Sequence, residues 1–253
     1  MTMQSNTAAA LSAFKAELGA EILKAARSLE FLLPTLLFPV AFYLLFAVML
    51  GGGNAGNAAY LLATYGVFAA IGPAILGFGI ALATEREMGW LTLKRILPTS
   101  IISYLGAKTL ATLLFCALSI GLLYAAGGFL GGVELPRRTW TLLFFVHVAS
   151  AVPFTLIGLL IGLLCKSGAA AAFGNIAFMG LAVLGGLWIP VTVFPDILQT
   201  IAGWLPSYHL GEASLIVAGV NPADGLWGHL GFVAIVTAVL AINVGIAWNH
   251  QKS

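Results

Sequence analysis

Charged residues are missing from long stretches of this chain, and the hydrophobic pattern divides it into six apolar stretches. These cover residues 31–50, 58–83, 101–126, 139–164, 169–190 and 226–248, and only the third holds a formal charge, Lys108. A helix of about 20 apolar residues spans the ~30 Å hydrocarbon core of a bilayer. An open strand in lipid leaves its backbone groups unpaired, so each stretch is predicted to be a transmembrane helix.

A different pattern precedes the first apolar stretch. The apolar residues Leu11, Phe14, Leu18, Ile22, Ala25 and Leu29 recur at spacings of three and four. The polar residues Lys15, Glu17, Glu21, Lys24 and Ser28 fall mostly away from that stripe. This predicts an amphipathic helix over residues 1–30 in the interface plane, separate from the membrane domain of residues 31–253. It is either a membrane-surface anchor or a strut that also touches a cytoplasmic partner.

Residues 191–225 form a third kind of segment, without Lys or Arg. Prolines divide it, and its helix-spaced apolar residues make a face that is too short and broken to span a bilayer. We expect two short helices that form a re-entrant outer hairpin between the fifth and sixth spans. Trp204 and Tyr208 are then at headgroup depth. A plain amphipathic outer loop is the alternative.

Composition supports a protein embedded in lipid. Only 8% of residues are charged, 60% are hydrophobic, and the mean hydropathy is +1.03. Soluble domains contain roughly a quarter charged residues. We therefore predict an all-α integral membrane protein with six transmembrane helices. The net charge of +2 and the absence of a Lys/Arg run argue against nucleic acid as a partner.

The placement of Lys and Arg predicts the orientation in the membrane. If the N-terminus is cytoplasmic, the outer loops contain only Arg137 and Arg138, and the other basic residues are on the inner side. Lys108, near the inner end of the third span, is expected to snorkel to that side. The prediction is a multi-pass protein of the cell (inner or plasma) membrane with both termini in the cytoplasm.

The inner connection between the second and third spans, residues 84–100, has an unusual charge content. It holds five of the twenty formal charges of the chain, and apolar residues including Trp90 and Leu93 are interleaved with them. Gly89 interrupts the pattern and Pro98 ends any helix. We expect a short helix across the membrane surface. A solvated cytoplasmic loop is the alternative. The preference of cytoplasmic loops for Lys and Arg explains the basic residues but not Glu85 and Glu87.

These residues resemble a known family. The sequence Glu-Arg-Glu-x-Gly at 85–89, then leucines, Leu-Pro-x-Ser at 97–100 and a Lys in the next span, is similar to the ABC-2 type permeases. Those are membrane subunits of ATP-binding-cassette exporters, and in them this loop contacts the ATPase subunit. The resemblance implies an ATPase-coupling site formed by Glu85, Arg86, Glu87, Gly89, Trp90, Leu93, Pro98 and Lys108.

Two further matches lie nearer the C-terminus, and together the matches extend over essentially the whole chain. Residues 185–190 resemble the small-residue and proline ending of the family's fifth span, and residues 205–210 resemble its Pro-x-Tyr-His stretch. The resemblance implies the same re-entrant outer hairpin. The candidate residues there are Pro190, Pro195, Trp204, Pro206, Tyr208 and His209.

Catalytic motifs are not found in the sequence. It has no Gly-x4-Gly-Lys-Ser/Thr phosphate loop, no His-Glu-x-x-His and no Gly-x-Ser-x-Gly, and its four histidines are scattered. We expect no enzyme activity, no metal and no cofactor in this chain, with ATP-Mg bound by a partner subunit. His147, Asn175 and Asn243 are polar residues within spans, where they either contact substrate or make interhelical hydrogen bonds.

The predicted function is the permease of an ATP-driven exporter. Its partners are a cytoplasmic ATPase subunit, membrane lipid and a second copy of itself or a related permease. The alternatives are a stand-alone secondary transporter or channel, and an intramembrane enzyme or assembly factor that uses His147 or His209. Substrate identity, and the choice between homodimer and heterodimer, stay open from sequence.

Overall fold

A computed structural model describes residues 2–52, 54–91 and 101–250, and every regular element in these ranges is a helix. The helices are α1 (Thr2–Arg27), α2 (Leu33–Met49), α3 (Ala55–Glu87), α4 (Ile101–Phe129), α5 (Arg137–Leu164), α6 (Ser167–Leu184), α7 (Asp196–Ala202), α8 (Pro206–Val217) and α9 (Leu226–His250). One helical turn, Leu29–Leu32, precedes α2, and a 3-10 turn, Val191–Val193, precedes α7. The predicted all-α class is confirmed.

Five of the described helices are long and apolar enough to cross a membrane, namely α3, α4, α5, α6 and α9. They coincide with the second to sixth apolar stretches of the sequence. The first stretch forms the shorter apolar helix α2. The α6 helix ends at Leu184 rather than at residue 190, because Gly185 caps it and Gly186 adopts a φ of +74°, a left-handed conformation that stops a helix.

Prolines change the hydrogen-bonding pattern within two helices. The α2 helix contains a π-helical stretch at Leu33–Leu37 with Pro34 in its first turn, and α3 contains another that starts at Pro73 (Pro73–Ile80). Proline has no N–H to donate and its ring pushes the preceding carbonyl away, so a wider turn is a natural local solution. Pro153 lies within the regular α-helix of α5.

Successive long helices run in alternating directions, so one end of the bundle collects the charges. Ala247, near the end of α9, packs with Leu82 of α3 and Tyr104 of α4. Glu21 of α1 contacts Lys108 of α4 at the same end. We call this the charged end, and both α1 and the C-terminal turns of α9 lie there.

The segment after α6 packs into the opposite half of the bundle. Leu210, near the start of α8, shares a core cluster with Phe68 and Ile71, which lie about halfway along α3. Leu215, further along α8, packs instead with Ala63 and Leu143, closer to the far ends of α3 and α5. The α8 helix is thus inclined into the bundle, with its N-terminus deeper than its C-terminus.

Close backbone contact joins α3 and α5. A Cβ added at Gly79 would lie 2.6 Å from the carbonyl oxygen of Gly158, and one added at Gly158 would lie 2.5 Å from that of Ala74. A Cβ at Gly162 would lie 2.7 Å from the carbonyl oxygen of Gly79. Small residues are the usual means by which membrane helices approach closely, because dispersion contacts increase with backbone proximity.

His147 joins three helices through hydrogen bonds. Its side chain is fully buried in α5, its Nε2 lies 2.9 Å from the carbonyl oxygen of Ala63 in α3, and its Nδ1 lies 2.9 Å from the hydroxyl of Tyr124 in α4. A carbonyl only accepts, so Nε2 bears the proton and Nδ1 accepts from the tyrosine. Both nitrogens are engaged, which favours the interhelical hydrogen-bonding interpretation of this residue.

The α1 helix packs differently from the amphipathic pattern. Phe14 faces Gly106 of α4, but Leu11 and Leu29 of the apolar stripe are 55% and 68% exposed, whereas Glu21 is only 8% exposed. We expected Glu21 on the polar side of this helix, and that expectation is wrong. Glu21 turns inward because its carboxylate pairs with Lys108, as described below.

The glycine contacts between α3 and α5 generate a stability prediction. Gly158→Ala places a methyl group against backbone that cannot rotate away, and overpacking of this kind typically costs about 1–3 kcal/mol. We expect a lower midpoint of thermal unfolding in detergent. Gly180→Ala in α6 is the matched control, since a Cβ added at Gly180 would meet no atom within 4 Å and alanine is the better helix former. Equal stability of the two variants would contradict the close contact.

Candidate functional site

Glu85 lies in the last turn of α3, where local sequence ends the helix. The N–H of Met88 bonds back to the carbonyl of Thr84, and the N–H of Gly89 bonds to that of Arg86. Gly89 has a φ of +78°, which glycine adopts without the steric penalty of a Cβ. Glu85, Arg86 and Glu87 are the last three residues of α3, and consecutive side chains of a helix point about 100° apart, so the three diverge at the charged end.

Four charged side chains from three helices meet at this position. Lys108 of α4 lies 2.7 Å from a carboxylate oxygen of Glu21 in α1 and 3.0 Å from one of Glu85 in α3. Lys24 of α1 bonds to Glu21 at 2.7 Å and also to Glu85. The hydroxyl of Tyr104, one turn before Lys108, donates to Glu85. We call Glu21, Lys24, Glu85 and Lys108 the four-charge cluster.

The four-charge cluster is neutral overall and mostly shielded from solvent. The side chains of Lys108, Glu21 and Glu85 are 3%, 9% and 13% exposed, whereas Lys24 is 50% exposed. Burial by itself lowers the pKa of Lys24, but hydrogen bonds and attraction from Glu21 and Glu85 outweigh it and raise that pKa above 10.5. Lys24 therefore stays cationic at physiological pH. Buried ions persist only when paired in this way, because desolvation of a lone charge is expensive.

Lys108 does not snorkel, in contrast to the sequence-based expectation. Its ammonium is buried between α1, α3 and α4 rather than extended to the surface. Two carboxylates at hydrogen-bonding distance compensate the loss of hydration, so the side chain has a better partner inside the protein than at the interface. Its ammonium also lies 5.4 Å from the ring centroid of Tyr104, a cation–π contact.

Arg86 and Glu87 connect the end of α3 to the turn between α5 and α6. The guanidinium of Arg86 donates to the carbonyl oxygen of Leu163 and, at 2.6 Å, to that of Cys165. The carboxylate of Glu87 accepts from the backbone N–H of Ser167 at 2.9 Å, the first residue of α6. Arg86 thus pairs with terminal carbonyls of α5, and Glu87 pairs with the first N–H of α6. The helix dipole favours a positive charge at the C-terminus of a helix and a negative charge at its N-terminus, so both charges are favourably placed.

The remaining residues of the predicted coupling site divide into two groups. Gly89 and Trp90 are exposed, with Trp90 at 52% and the neighbouring Met88 at 69%. Leu93 and Pro98 lie outside the described residues. The structure therefore brings Glu85 and Lys108 into one cluster, places Arg86 and Glu87 beside it, and leaves residues 87–90 accessible.

Sequence reasoning missed three members of this site, namely Glu21, Lys24 and Tyr104. The amphipathic pattern places Glu21 and Lys24 on the solvated side of α1, and hydropathy treats Tyr104 only as part of an apolar span. One signal was available, because Lys108 is the only formal charge in six apolar stretches and needs a carboxylate partner. The sequence contains nine acidic residues and does not indicate which of them that is.

The outer-hairpin candidates form helix starts and one histidine contact. Pro190 and Pro195 precede the 3-10 turn and α7, and Pro206 is the first residue of α8, where a missing N–H costs nothing. Trp204 is 73% exposed and Tyr208 is half-buried. The two predicted short helices are present as α7 and α8.

His209 and His229 link α8 to the start of α9. Their Nδ1 atoms are 2.8 Å apart, and the Nε2 of His209 lies 3.0 Å from the carbonyl oxygen of Gly203. That carbonyl requires a proton on Nε2 of His209, so in a neutral His209 the Nδ1 accepts and the Nδ1 of His229 donates. The contact requires at least one neutral imidazole, and burial favours the neutral form of His209. Among the described residues no group of three or more His, Cys, Asp or Glu is arranged to hold a metal ion.

The two other polar residues predicted within spans bond to their own helices. The amide of Asn175 donates to the carbonyl oxygen of Ala171, and that of Asn243 donates to the carbonyl oxygen of Val239, each at 2.8 Å and each from an exposed position. Both side chains thus satisfy a donor locally while they remain accessible.

Comparisons with known proteins agree with the resemblance seen in the sequence. Residues 12–218 match the ABC-2 type transporter family. The chain is also 34% identical over 208 residues to a protein of Bacillus subtilis (strain 168) named "Putative transport permease YvfS", and this alignment covers 80% of the chain and 84% of that protein. The family match includes the four-charge cluster and α8, and it ends before α9.

The four-charge cluster generates a prediction about stability. Lys108→Met leaves two shielded carboxylates that share only the half-exposed Lys24, and loss of one partner from a buried pair costs about 3–5 kcal/mol. We expect a large drop in the midpoint of thermal unfolding. Lys24→Met is expected to cost less, because Lys24 is half exposed and Lys108 remains. Adding Glu21→Gln to Lys108→Met should recover part of the loss. Equal effects of the two single variants would contradict a cluster centred on Lys108.

The histidine contact generates a pH prediction. Burial lowers the pKa of His209 below 6.5, so its stabilising contact is fully present above pH 6.5 and is lost as the pH falls below that value. His229 and the half-buried Tyr208 adjoin it, and Glu212 on the same helix bonds to Asn221. We expect faster hydrogen exchange in residues 203–212 at about pH 5 than at about pH 7.5, once the intrinsic pH dependence of exchange is corrected for.

His209→Gln tests this assignment, because a glutamine amide can donate to Gly203 and accept from His229 without titrating. The variant should show a weaker pH effect in residues 203–212. His250→Gln, at the other end of α9, is the control and should behave like the unaltered protein. An unchanged pH effect in His209→Gln would assign the titration to another group.

Proposed function

Because the chain belongs to the ABC-2 type transporter family, we propose that it is the permease of an exporter driven by ATP hydrolysis in a separate subunit. Family membership makes it a transmembrane transporter permease. The coupling to ATP, the outward direction of transport and the location of ATP-Mg on a cytoplasmic partner are the proposal.

The contacts at the end of α3 support the coupling part of this proposal. Glu85 connects α3 to α1 and α4 through the four-charge cluster, while Arg86 and Glu87 connect it to α5 and α6. A displacement of this short segment is therefore passed directly to four other helices. Charge-assisted hydrogen bonds suit such a link, since they are shorter and stronger than neutral ones.

The exposed residues next to this link are suited to contact a partner. Met88 and Trp90 are apolar and accessible, and they follow directly after Glu87 at the charged end of the bundle. Aromatic residues and methionine are enriched at the centres of protein interfaces. We propose that Met88 and Trp90 dock on the ATPase subunit, while Glu85, Arg86, Glu87 and Lys108 transmit its movement.

This proposal implies a mechanism in which ATP binding brings two ATPase subunits together. The subunits then push on residues 84–100 of two permeases. Each bundle then tilts as a unit, because the four-charge cluster and the contacts of Arg86 and Glu87 keep α1 and α3–α6 together at the charged end. A path opens towards the outer side. The second permease is another copy of this chain or a related one.

We propose six membrane crossings with both termini in the cytoplasm of the cell (inner or plasma) membrane. The α2 helix, residues Leu33–Met49, is about 26 Å long at a rise of ~1.5 Å per residue, and the preceding turn extends it. It connects α1, which lies at the charged end, to the N-terminus of α3. The C-terminus of α3 lies at the charged end again. The inclination of α8 into the bundle supports a re-entrant outer hairpin rather than a plain loop.

The docking proposal is tested with Met88→Ala/Trp90→Ala. Truncation of a central interface tryptophan costs about 2 kcal/mol or more, so we expect roughly thirtyfold weaker binding of the ATPase subunit in co-purification. The matched control is Trp227→Ala, an accessible tryptophan at the opposite end of the bundle. If the double variant and the control bind alike, the exposed segment is not the docking site.

The transmission role is tested separately with Arg86→Lys, which keeps the charge but cannot donate to two carbonyls in one plane. Binding of the ATPase should persist while hydrolysis proceeds without transport. Coupled transport in this variant would contradict transmission through Arg86. A permease that transports substrate in the absence of any ATPase would instead support the stand-alone transporter or channel.

A further inference from the structure

A cavity of about 500 Å³ lies beside the four-charge cluster, between α1, α2, α3, α4 and α6. This volume is within the range of small-molecule sites, roughly 300–1,000 Å³. Its lining follows each helix inward from the charged end. On α4 it extends from Lys108 to Phe115, and on α6 from Ala171 to Met179, which are distances of ~10 Å and ~12 Å along the helix axes.

The cavity is polar at one end and apolar along the rest. Glu21, Lys24 and Lys108 line it at the charged end, while Phe38, Phe115 and Met179 line its deeper part. Phe38 and Met179 are also 43% and 41% exposed, so the deeper part is open between α2 and α6. Such a shape fits a molecule with one charged end and one apolar end, lying along the helices.

The four-charge cluster is neutral overall, but its most exposed charge at the cavity is the ammonium of Lys24. The side chains of Lys108 and Glu21 pair with each other and are almost completely buried, whereas that of Lys24 is half exposed. Its ammonium has three donors, of which carboxylates of Glu21 and Glu85 take two within the described part of the chain. One donor remains for an anion. The exposed amide of Asn175 lies on the opposite wall.

From these observations we propose that the cavity binds an amphiphile with an anionic phosphate headgroup, with Lys24 contacting the headgroup and the apolar chain lying along Phe115 and Met179. The amphiphile enters from the leaflet at the charged end, through the opening between α2 and α6. Lys24 thus has two roles, as the outer member of the four-charge cluster and as the recognition group of the site.

The test uses the purified full chain in detergent, with native mass spectrometry to count retained lipid. The probes are dioleoyl phosphatidylglycerol and dioleoyl phosphatidylcholine, which share acyl chains but differ in net charge, and inorganic phosphate alone. Both headgroups contain a phosphate, but the quaternary ammonium of choline offsets its charge and competes with Lys24 for it. We therefore expect about tenfold better retention of phosphatidylglycerol, a difference of about 1.4 kcal/mol. Excess inorganic phosphate should not displace it, since phosphate lacks the apolar chain.

Two pairs of variants separate the cavity from the surface. Ala171→Phe fills the cavity and should abolish retention, whereas Ala172→Phe places the same ring on the exposed side of α6 and should not. Lys24→Gln should retain both lipids equally, whereas Lys15→Gln, on the exposed part of α1, should keep the preference. Each variant is checked for monodisperse elution.

The proposal is overturned if the unaltered chain retains both lipids equally, if both phenylalanine variants behave alike, or if phosphate alone displaces the lipid. The Lys24→Gln comparison remains decisive if Ala171→Phe does not fold. The measurement needs neither an ATPase nor transport. A negative result therefore leaves the proposed exporter function standing, and a failure of that function leaves this site standing.

Discussion

Mutual neutralisation of two carboxylates and two ammonium groups determines how the charged end of this bundle is assembled. Glu21, Lys24, Glu85 and Lys108 come from α1, α3 and α4, and none of the three buried members could remain charged there alone. Because each ion has a partner on another helix, the three helices hold one relative position. The inward turn of Glu21 and the buried position of Lys108 both follow from this requirement.

The same requirement, that polar groups find partners where water is scarce, recurs along the bundle. His147 satisfies both of its nitrogens with Ala63 and Tyr124, and Arg86 satisfies carbonyls at the end of α5. Between these polar contacts, Gly79 and Gly158 allow backbones to touch. In lipid there is little hydrophobic force between helices, so close packing and hydrogen bonds specify the arrangement.

The charged end combines two properties that a driven transporter needs in one place. The exposed residues Met88 and Trp90 adjoin side chains that reach four other helices, so an external force has a short path into the bundle. The four-charge cluster also forms the polar end of the cavity. Lys24 is therefore shared between the contacts that hold α1 to α3 and the proposed headgroup site.

The sequence alone was enough to predict that the protein is embedded in lipid, that its fold class is all-α, and where most of its helices lie. Hydrophobic length and charge depletion are local properties of the chain, so they predicted the all-α class and five of the membrane-length helices, and the order of motifs indicated the family. The end of α6 was misplaced because the left-handed conformation of Gly186 is not visible in a hydropathy pattern.

The tertiary structure alone decided which charges pair. Lys108 and Glu21 are 87 residues apart, and Lys24 and Glu85 are 61 apart. In sequence, Glu21 and Lys24 looked like solvated members of an amphipathic helix, since the pattern of one helix contains no information about the surface it packs against. Lys108 could be recognised as needing a carboxylate, because a lone charge in lipid is costly. Which carboxylate supplied it depended on how the helices pack, and that is a property of the folded chain.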